Sequence, residues 1–386
     1  MMSRRQGRKV ARFLLIFSGV VTLAHVFLYQ QMVFWFQPGI GFRNALLAGL
    51  ATLATLVLLI LPLRRWLPHR MLNQVLLGNY LWMGFGLLLV TCFLAADLVL
   101  GLFQLSGQLT PLRQQMLGTG ALGLALALGV YALWNGQRPV HVRHVSVHLK
   151  KWPASLDGMK LVQLSDIHIG PMLGREWLQR LVSQVNALDA DLVAITGDLV
   201  DGSVADLGEH VEPLRELRSR LGTFFVTGNH EYYSGVTEWC DFLVGLGIHV
   251  LRNRHVALTL GEGKFELAGV DDHASHHFPG EGADLQAALQ GRDTSLPVIL
   301  LAHQPVVVHD AAANGIDLQL SGHTHGGQLW PFRYLVYLQQ PVAHGLFQHE
   351  LGDLQLYVSA GTGFWGPPMR LGTRAEITLL TLHQAA

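Results

Sequence analysis

From Val10 to Trp134 the chain is almost unbroken apolar sequence, interrupted by three short polar breaks. Four stretches are long enough to cross a bilayer, which takes about 20 apolar residues each. They run over residues 10–36 ("FLLIFSGVVTLAHVFLYQQMVFWF"), 45–63, 75–103 ("YLWMGFGLLLVTCFLAADLVLGLF") and 116–134. The first closes on an aromatic cluster suited to a membrane interface. A secretory signal has one short apolar core and a cleavage site, so this region is not one. "SRR" at Ser3–Arg5 resembles a twin-arginine signal but lacks the residues that should follow it.

Beyond the spans the period changes. "QRPVHVRHVSVHLKKWP" alternates at Val140, Val142, Val145, Val147 and Leu149, which predicts a strand with a bulge or phase slip after Arg143. His141, His144 and His148 are expected on its surface. After Pro153, short apolar strands alternate with helical segments, the pattern of a layered α/β domain. The expected organisation is therefore a transmembrane domain over 1–136, a linker and first strand over 137–158, and an α/β domain over 159–386.

Composition sharpens this division. Hydrophobic residues make up 50% of the 386-residue chain and charged residues 14%, the apolar excess lying in the first third. Lys and Arg flank the spans unevenly: Arg4, Arg5, Arg8, Lys9 and Arg12 before the first, Arg64, Arg65 and Arg70 between the second and third, and Arg138, Arg143, Lys150 and Lys151 after the fourth. The other two loops hold only Arg43 and Arg113, so the bias places both termini and the α/β domain in the cytoplasm of a multi-pass cell-membrane protein. Net charge is zero, which disfavours a dedicated nucleic-acid binder. Cys92 and Cys240 are too far apart in character to imply a disulfide framework and are expected to pack inertly. Asp97, towards the end of the third span, is either an ion-path carboxylate or a group that sits near the outer interface or bonds a neighbouring helix. Gly118, Gly120 and Gly123 predict a helix-packing face.

The chemistry lies where strands stop. "KLVQLSDIHIG" runs into Asp166 and His168, "DLVAITGDLVDG" into Asp198, and "TFFVTGNHEYY" into Asn229, His230 and Glu231. "PVILLAHQP" then delivers His303, and "DLQLSGHTHGG" delivers His323 and His325. Ligands bind at the carboxyl ends of strands in open α/β sheets. Asp166, His168, Asp198, Asn229, His303, His323 and His325 are an oxygen and nitrogen set without thiolate, suited to Mn, Fe, Zn or similar divalent ions. Seven ligands exceed one tetrahedral zinc site. They suit two ions about 3.5–4 Å apart sharing a carboxylate.

This series of motifs (DxH, GD, GNHE, H, GHTH) resembles the calcineurin-like metallophosphoesterase superfamily, in order and from about Lys160 to the end. "LVQLSDIHIG", "GHTHGGQ" and "GTGFWGPPMRLG" are similar to a membrane-associated, bacterial-type branch that carries N-terminal transmembrane segments. The resemblance implies a bundle of four transmembrane helices followed by a four-layer α/β/β/α sandwich. It implies that Asp166, His168 and His325 hold one ion, that Asn229, His303 and His323 hold the other, and that Asp198 bridges them. His230 would act on the transferred phosphoryl or protonate the leaving oxygen, Glu231 would orient it, and a hydroxide between the two ions would be the nucleophile.

The function implied is a membrane-anchored, metal-dependent phosphoric ester hydrolase acting on a phosphodiester, pyrophosphate or phosphomonoester. Its substrate could be lipid-linked, with membrane lipids as partners and no nucleic acid or obligate protein partner expected. The competing readings are a sensor or scaffold that binds without turnover, and a nuclease of the same superfamily. Weaker signals surround this core. "GTGFWG" matches a dinucleotide fingerprint, but Pro367 and Pro368 prevent the helix it needs, so a loop rimming the metal site is expected. Arg370 is a candidate phosphate contact or surface ion pair. "DDHASHH" is a solvated loop or an extra contact, and Tyr232 and Tyr233 wall a pocket or pack the core.

Overall fold

The computed structural model describes residues 4–63, 69–350 and 352–385. Arg64 and Arg65, used in the orientation argument, lie outside the described residues, as does Ser3. By internal contacts the chain divides into a helical unit, Met1–Gln137 with Gly366–Leu371, and an α/β unit, Arg138–Trp365 with Gly372–Ala386.

The helical unit contains α1 (Arg4–Phe36), α2 (Ile40–Leu63), α3 (His69–Leu105) and α4 (Pro111–Gly136). All four are long and apolar enough to cross a membrane. Where described residues flank them, breakers rather than composition end the helices. α1 and α2 are separated by Pro38 and Gly39, and α4 starts where Thr110 Oγ1 accepts from Arg113 N and Pro111 takes the first helical position. Asp97 on α3 accepts from Gln31 Nε2 of α1 at 2.7 Å, which is the helix–helix bond reading of that carboxylate. The expected glycine face is displaced. Gly118 packs on Trp35, whereas Gly120 and Gly123 meet nothing; the buried stripe continues through Ala121, Ala125, Gly129 and Ala132, with Gly129 against Phe85. Steps of three and four residues keep one helix face, and positions 120 and 123 fall off it.

Among the described residues the α/β unit has twelve strands: β1 (His141–Leu149), β2 (Met159–Leu164), β3 (Leu192–Thr196), β4 (Thr223–Val226), β5 (His249–Val250), β6 (Arg254–Leu260), β7 (Gly263–Gly269), β8 (Val298–Leu301), β9 (Leu318–Ser321), β10 (Gly345–Gln348), β11 (Gln355–Val358) and β12 (Glu376–Gln384). Its helices are α5 (Arg175–Asn186), α6 (Val204–Val211), α7 (Asn229–Ser234), α8 (Val236–Gly245), α9 (Leu285–Leu289), α10 (Val308–Ala313) and α11 (Arg333–Val336). One sheet runs β1-β12-β2-β3-β4-β5 and the other β10-β11-β9-β8-β7-β6.

Strand alternation makes the layers. Leu161, Leu192, Ala194, Phe224 and Val226 of the first sheet meet Leu267, Ile299, Leu301, Leu318 and Leu320 of the second in one buried core. The intervening residues Val162, Leu164, Val193 and Ile195 face outward onto Leu178, Val182 and Val185 of α5 and Trp239 and Leu243 of α8. Val298 and Leu300 face outward onto Ala288 of α9 and Val308 and Ala311 of α10. Helix, sheet, sheet, helix is the result, the four-layer sandwich. β1 pairs with β12 in unbroken register from His141 opposite Glu376 to Leu149 opposite Gln384, so the expected bulge is absent. The apparent slip arises because Val140 and Val142 join the outer core while Val145, Val147 and Leu149 join the inner one. His141, His144 and His148 are exposed, and Cys92 and Cys240 are buried free thiols.

Candidate metal centre

β2, β3 and β4 are mutually parallel, and so are β8 and β9, so the loops after them leave each sheet in a common direction. Those loops carry every expected ligand. Asp166, His168 and His325 bring one donor atom each within 4.8 Å of one another, and Asp198, His303 and His323 do the same. His325 Nε2 lies 3.4 Å from Asp166 Oδ1 and 3.1 Å from His168 Nε2. His303 Nε2 lies 3.2 Å from Asp198 Oδ2 and 3.3 Å from His323 Nδ1. Asp198 connects the groups, its Oδ2 also standing 3.9 Å from both His168 Nε2 and His230 Nε2.

The backbone is shaped to permit this crowding. Asp166, His168, Asp198, His323 and His325 all have left-handed φ (53°, 52°, 51°, 68° and 49°), five of nine such non-glycine residues among those described. Each costs about 1–3 kcal/mol and persists only where surrounding structure enforces it. Glycine fills close approaches to both carboxylates: a Cβ on Gly228 would overlap Asp198 Oδ1, and one on Gly322 would overlap Asp166 Oδ2.

The electrostatics fit divalent cations. His303 Nδ1 donates to Thr196 O at 2.8 Å and His168 Nδ1 donates to Asp201 Oδ1 at 2.9 Å, which leaves both Nε2 atoms as the free donors of lone pairs. Burial would lower the His303 pKa, yet the Asp198 carboxylate, aided by Asp166, raises it well above the imidazole range. Burial opposes ionisation of Asp198, but His303 and His230 hold its pKa well below the carboxylate range. Burial and the charge on His303 push His323 down to about 3. The buried carboxylates thus draw positive charge into the site. Asn229 Oδ1 is buried in the same site with no hydrogen-bond partner, and an amide oxygen left so is costly unless a cation satisfies it. The donors present therefore fit two divalent ions.

The roles expected of His230 and Glu231 divide differently. Glu231 is fully buried and accepts from three backbone amides: Gly228 N at 2.6 Å, Asp198 N at 3.0 Å and Leu199 N at 2.8 Å. Its carboxylate ties the Asp198 and Leu199 amides to that of Gly228, and none of these three bonds is to His230. Burial, with the Asp198 charge, pushes its pKa up to about 7. The partner of His230 is Asp201, whose Oδ1 accepts from His230 Nδ1 at 2.7 Å as well as from His168. Burial of His230 is outweighed by Asp198 and Asp201, and its pKa is raised to about 9. Asp201 was not singled out from the sequence. Its only signal there is a carboxylate ending the "GDLVD" turn, and its two histidine partners come from other loops.

Around the centre, Thr362 N donates to Ser165 O at 2.7 Å and Gly363 N to Asp166 O at 2.9 Å, so the "GTGFWG" loop rims the site. Tyr233 is exposed with its ring 5.5 Å from that of His230, while Tyr232 is buried against Thr227. In the "DDHASHH" segment Asp272 is buried and accepts from Gln304, next to His303; its histidines are exposed. Arg370 is buried in the helical unit, not in a surface ion pair.

A family model described as calcineurin-like phosphoesterase matches residues 159–327. A Danio rerio "Transmembrane protein with metallophosphoesterase domain" is 44% identical over 273 residues, 69% of this chain and 62% of that protein. The chain thus spans less than two thirds of that relative. An uncharacterized metallophosphoesterase of Helicobacter pylori is 40% identical over 267 residues, covering 68% of this chain and 70% of its own length. The metallophosphoesterase YkuE of Bacillus subtilis is 31% identical over 280 residues, 69% of this chain and 94% of its own. With the motif series, its geometry and these likenesses agreeing, the chain belongs to the calcineurin-like metallophosphoesterase family.

Proposed function

We propose that this protein is a membrane-anchored phosphoesterase that uses two divalent ions to hydrolyse a phosphodiester, pyrophosphate or phosphomonoester bond. The observation that carries the reading is the meeting of two ligand triads at Asp198 with His230 Nε2 beside them. Asp166, His168 and His325 would hold one ion; Asn229, His303 and His323 the other; Asp198 both. Bound ions of this kind supply an acidified water and neutralise charge on the phosphoryl oxygens.

The chain's own groups do the rest. His230 keeps a proton on Nδ1 by bonding Asp201, which leaves Nε2 as the atom that carries a proton toward substrate. That proton faces the space above Asp198 and goes to the departing oxygen, which otherwise leaves as a high-energy alkoxide. Tyr233 walls the same side with an aromatic face. Manganese, iron and zinc all suit this donor set.

The four apolar helices and the uneven Lys and Arg flanks support a multi-pass protein whose α/β unit faces the cytoplasm. A domain held at a membrane meets lipid-linked phosphates at high local concentration, which favours a lipid-linked substrate. The test is hydrolysis by the purified full-length protein loaded with each metal. Substrates would be bis-p-nitrophenyl phosphate and a lipid-linked pyrophosphate, with Asp198→Asn and His230→Ala as controls. Activity that falls by orders of magnitude in both variants is expected. Equal activity in wild type and Asp198→Asn sinks the reading, and metal uptake without turnover of any substrate leaves a binding module instead.

A further inference from the structure

The α/β unit carries an apolar surface that the proposed hydrolysis does not use. Directly after the turn that places His325, the chain runs through hydrogen-bonded turns around α11 from Leu329 to Gln340. Along it Trp330, Phe332, Tyr334, Leu335 and Leu338 are 44%, 44%, 62%, 54% and 78% exposed. Trp365 is also exposed and is tied to this segment: Gln328 Nε2 donates to Trp365 O at 2.9 Å, and Trp365 N donates to Gln328 Oε1 at 3.0 Å. Large apolar side chains exposed one after another along a short segment mark an interaction surface. The set is rich in Trp and Tyr, whose apolar rings end in a polar tip, the residues enriched where water meets a bilayer.

The path of the chain identifies the occupant. Trp365 leads straight into Gly366–Leu371, which belongs to the helical unit; there Arg370 N donates to Ala132 O of α4 at 2.8 Å and Asn135 Nδ2 donates to Arg370 O at 3.0 Å. The chain returns at Gly372, whose carbonyl accepts from Arg333 Nη2 at 3.2 Å. Both covalent ends of the segment that enters the apolar helices are therefore held by residues that flank the exposed side chains, the buried Gln328 and the half-buried Arg333. A surface so tethered to helices able to span a membrane is kept within reach of its headgroups.

We propose that Trp330, Phe332, Tyr334, Leu335, Leu338 and Trp365 form a lipid-docking face that rests in the interfacial layer of the bilayer. The proposal rests on the four helices spanning that bilayer and is independent of whether the metal centre turns over. Burial of these rings in the interface restrains the α/β unit.

The test places an environment-sensitive NBD label at Leu338→Cys and, separately, at Tyr334→Cys in the full-length chain. Lys264→Cys on β7 serves as the remote control, and the unsubstituted chain reports labelling of the buried native thiols. Each is reconstituted at low protein-to-lipid ratio into phosphatidylcholine–phosphatidylglycerol vesicles, with or without a doxyl quencher near the headgroup. Labels at 338 and 334 should emit to the blue of the control and be quenched severalfold by the doxyl lipid, while the label at 264 is unaffected. Emission at both sites as watery and unquenched as at 264 overturns the proposal. So does blue emission that ignores the doxyl lipid and grows with protein-to-lipid ratio, which would mean that protein covers the face.

Discussion

Asp201 accepts from two histidines with one oxygen, and that sharing makes its role separable from that of a ligand. Asp201→Asn should lower kcat by about 10–100-fold, the usual cost of losing an outer partner of a site histidine. In a His230→Ala background the same substitution should cost less, because only the bond to His168 is left to lose. Additive losses in that cycle would exclude action through His230. Glu231 presents the opposite case. Glu231→Gln turns an amide N–H toward backbone N–H groups that now have a carboxylate oxygen, so it should destabilise the unit by about 1–3 kcal/mol. Denaturation in detergent would read this as a lowered melting point together with lost activity; a normal melt with a selective kcat defect would restore the orienting role. The ligand types at strand ends were legible because each is local to its strand and motif. The partners of His230 and Glu231 were not, since Asp201 and the Leu199 amide reach them from another loop.

The elements follow the same division. The apolar runs marked four helices, but which glycine of α4 touches a neighbour depends on the face turned to α3 and α1. Gly129→Val should disrupt that packing, because a Cβ there meets the Phe85 ring, whereas Gly123→Val meets open space. Overpacking of this kind costs about 1–3 kcal/mol. Thermal unfolding of the two variants in the same detergent should separate them, and equal melting points would show that the α3–α4 contact is dispensable. In the α/β unit, alternation along β1 was visible while its apparent phase slip was not a backbone feature, since one strand feeds two cores.

At the scale of the whole molecule, two ions would act as a stabilising ligand of a site whose parts lie on two sheets. A cation present at about 100 times its Kd adds about 2.7 kcal/mol to the folded state. Chelation should therefore lower the melting point of the wild-type chain, and Asp198→Asn should blunt the shift; no shift in the wild type would argue against a built metal centre. By itself the sequence determined the apolar and polar halves, the strand and helix periods, and the ordered set of Asp, Asn and His residues, because each is written over a few neighbouring positions. Only the tertiary structure decided that β12 returns between β1 and β2, that Asp201 bonds His230, and that Gln328 holds the backbone of Trp365. Those relations join residues far apart in the chain, and long-range pairing is set by which buried faces fit together, a choice that local periodicity does not encode.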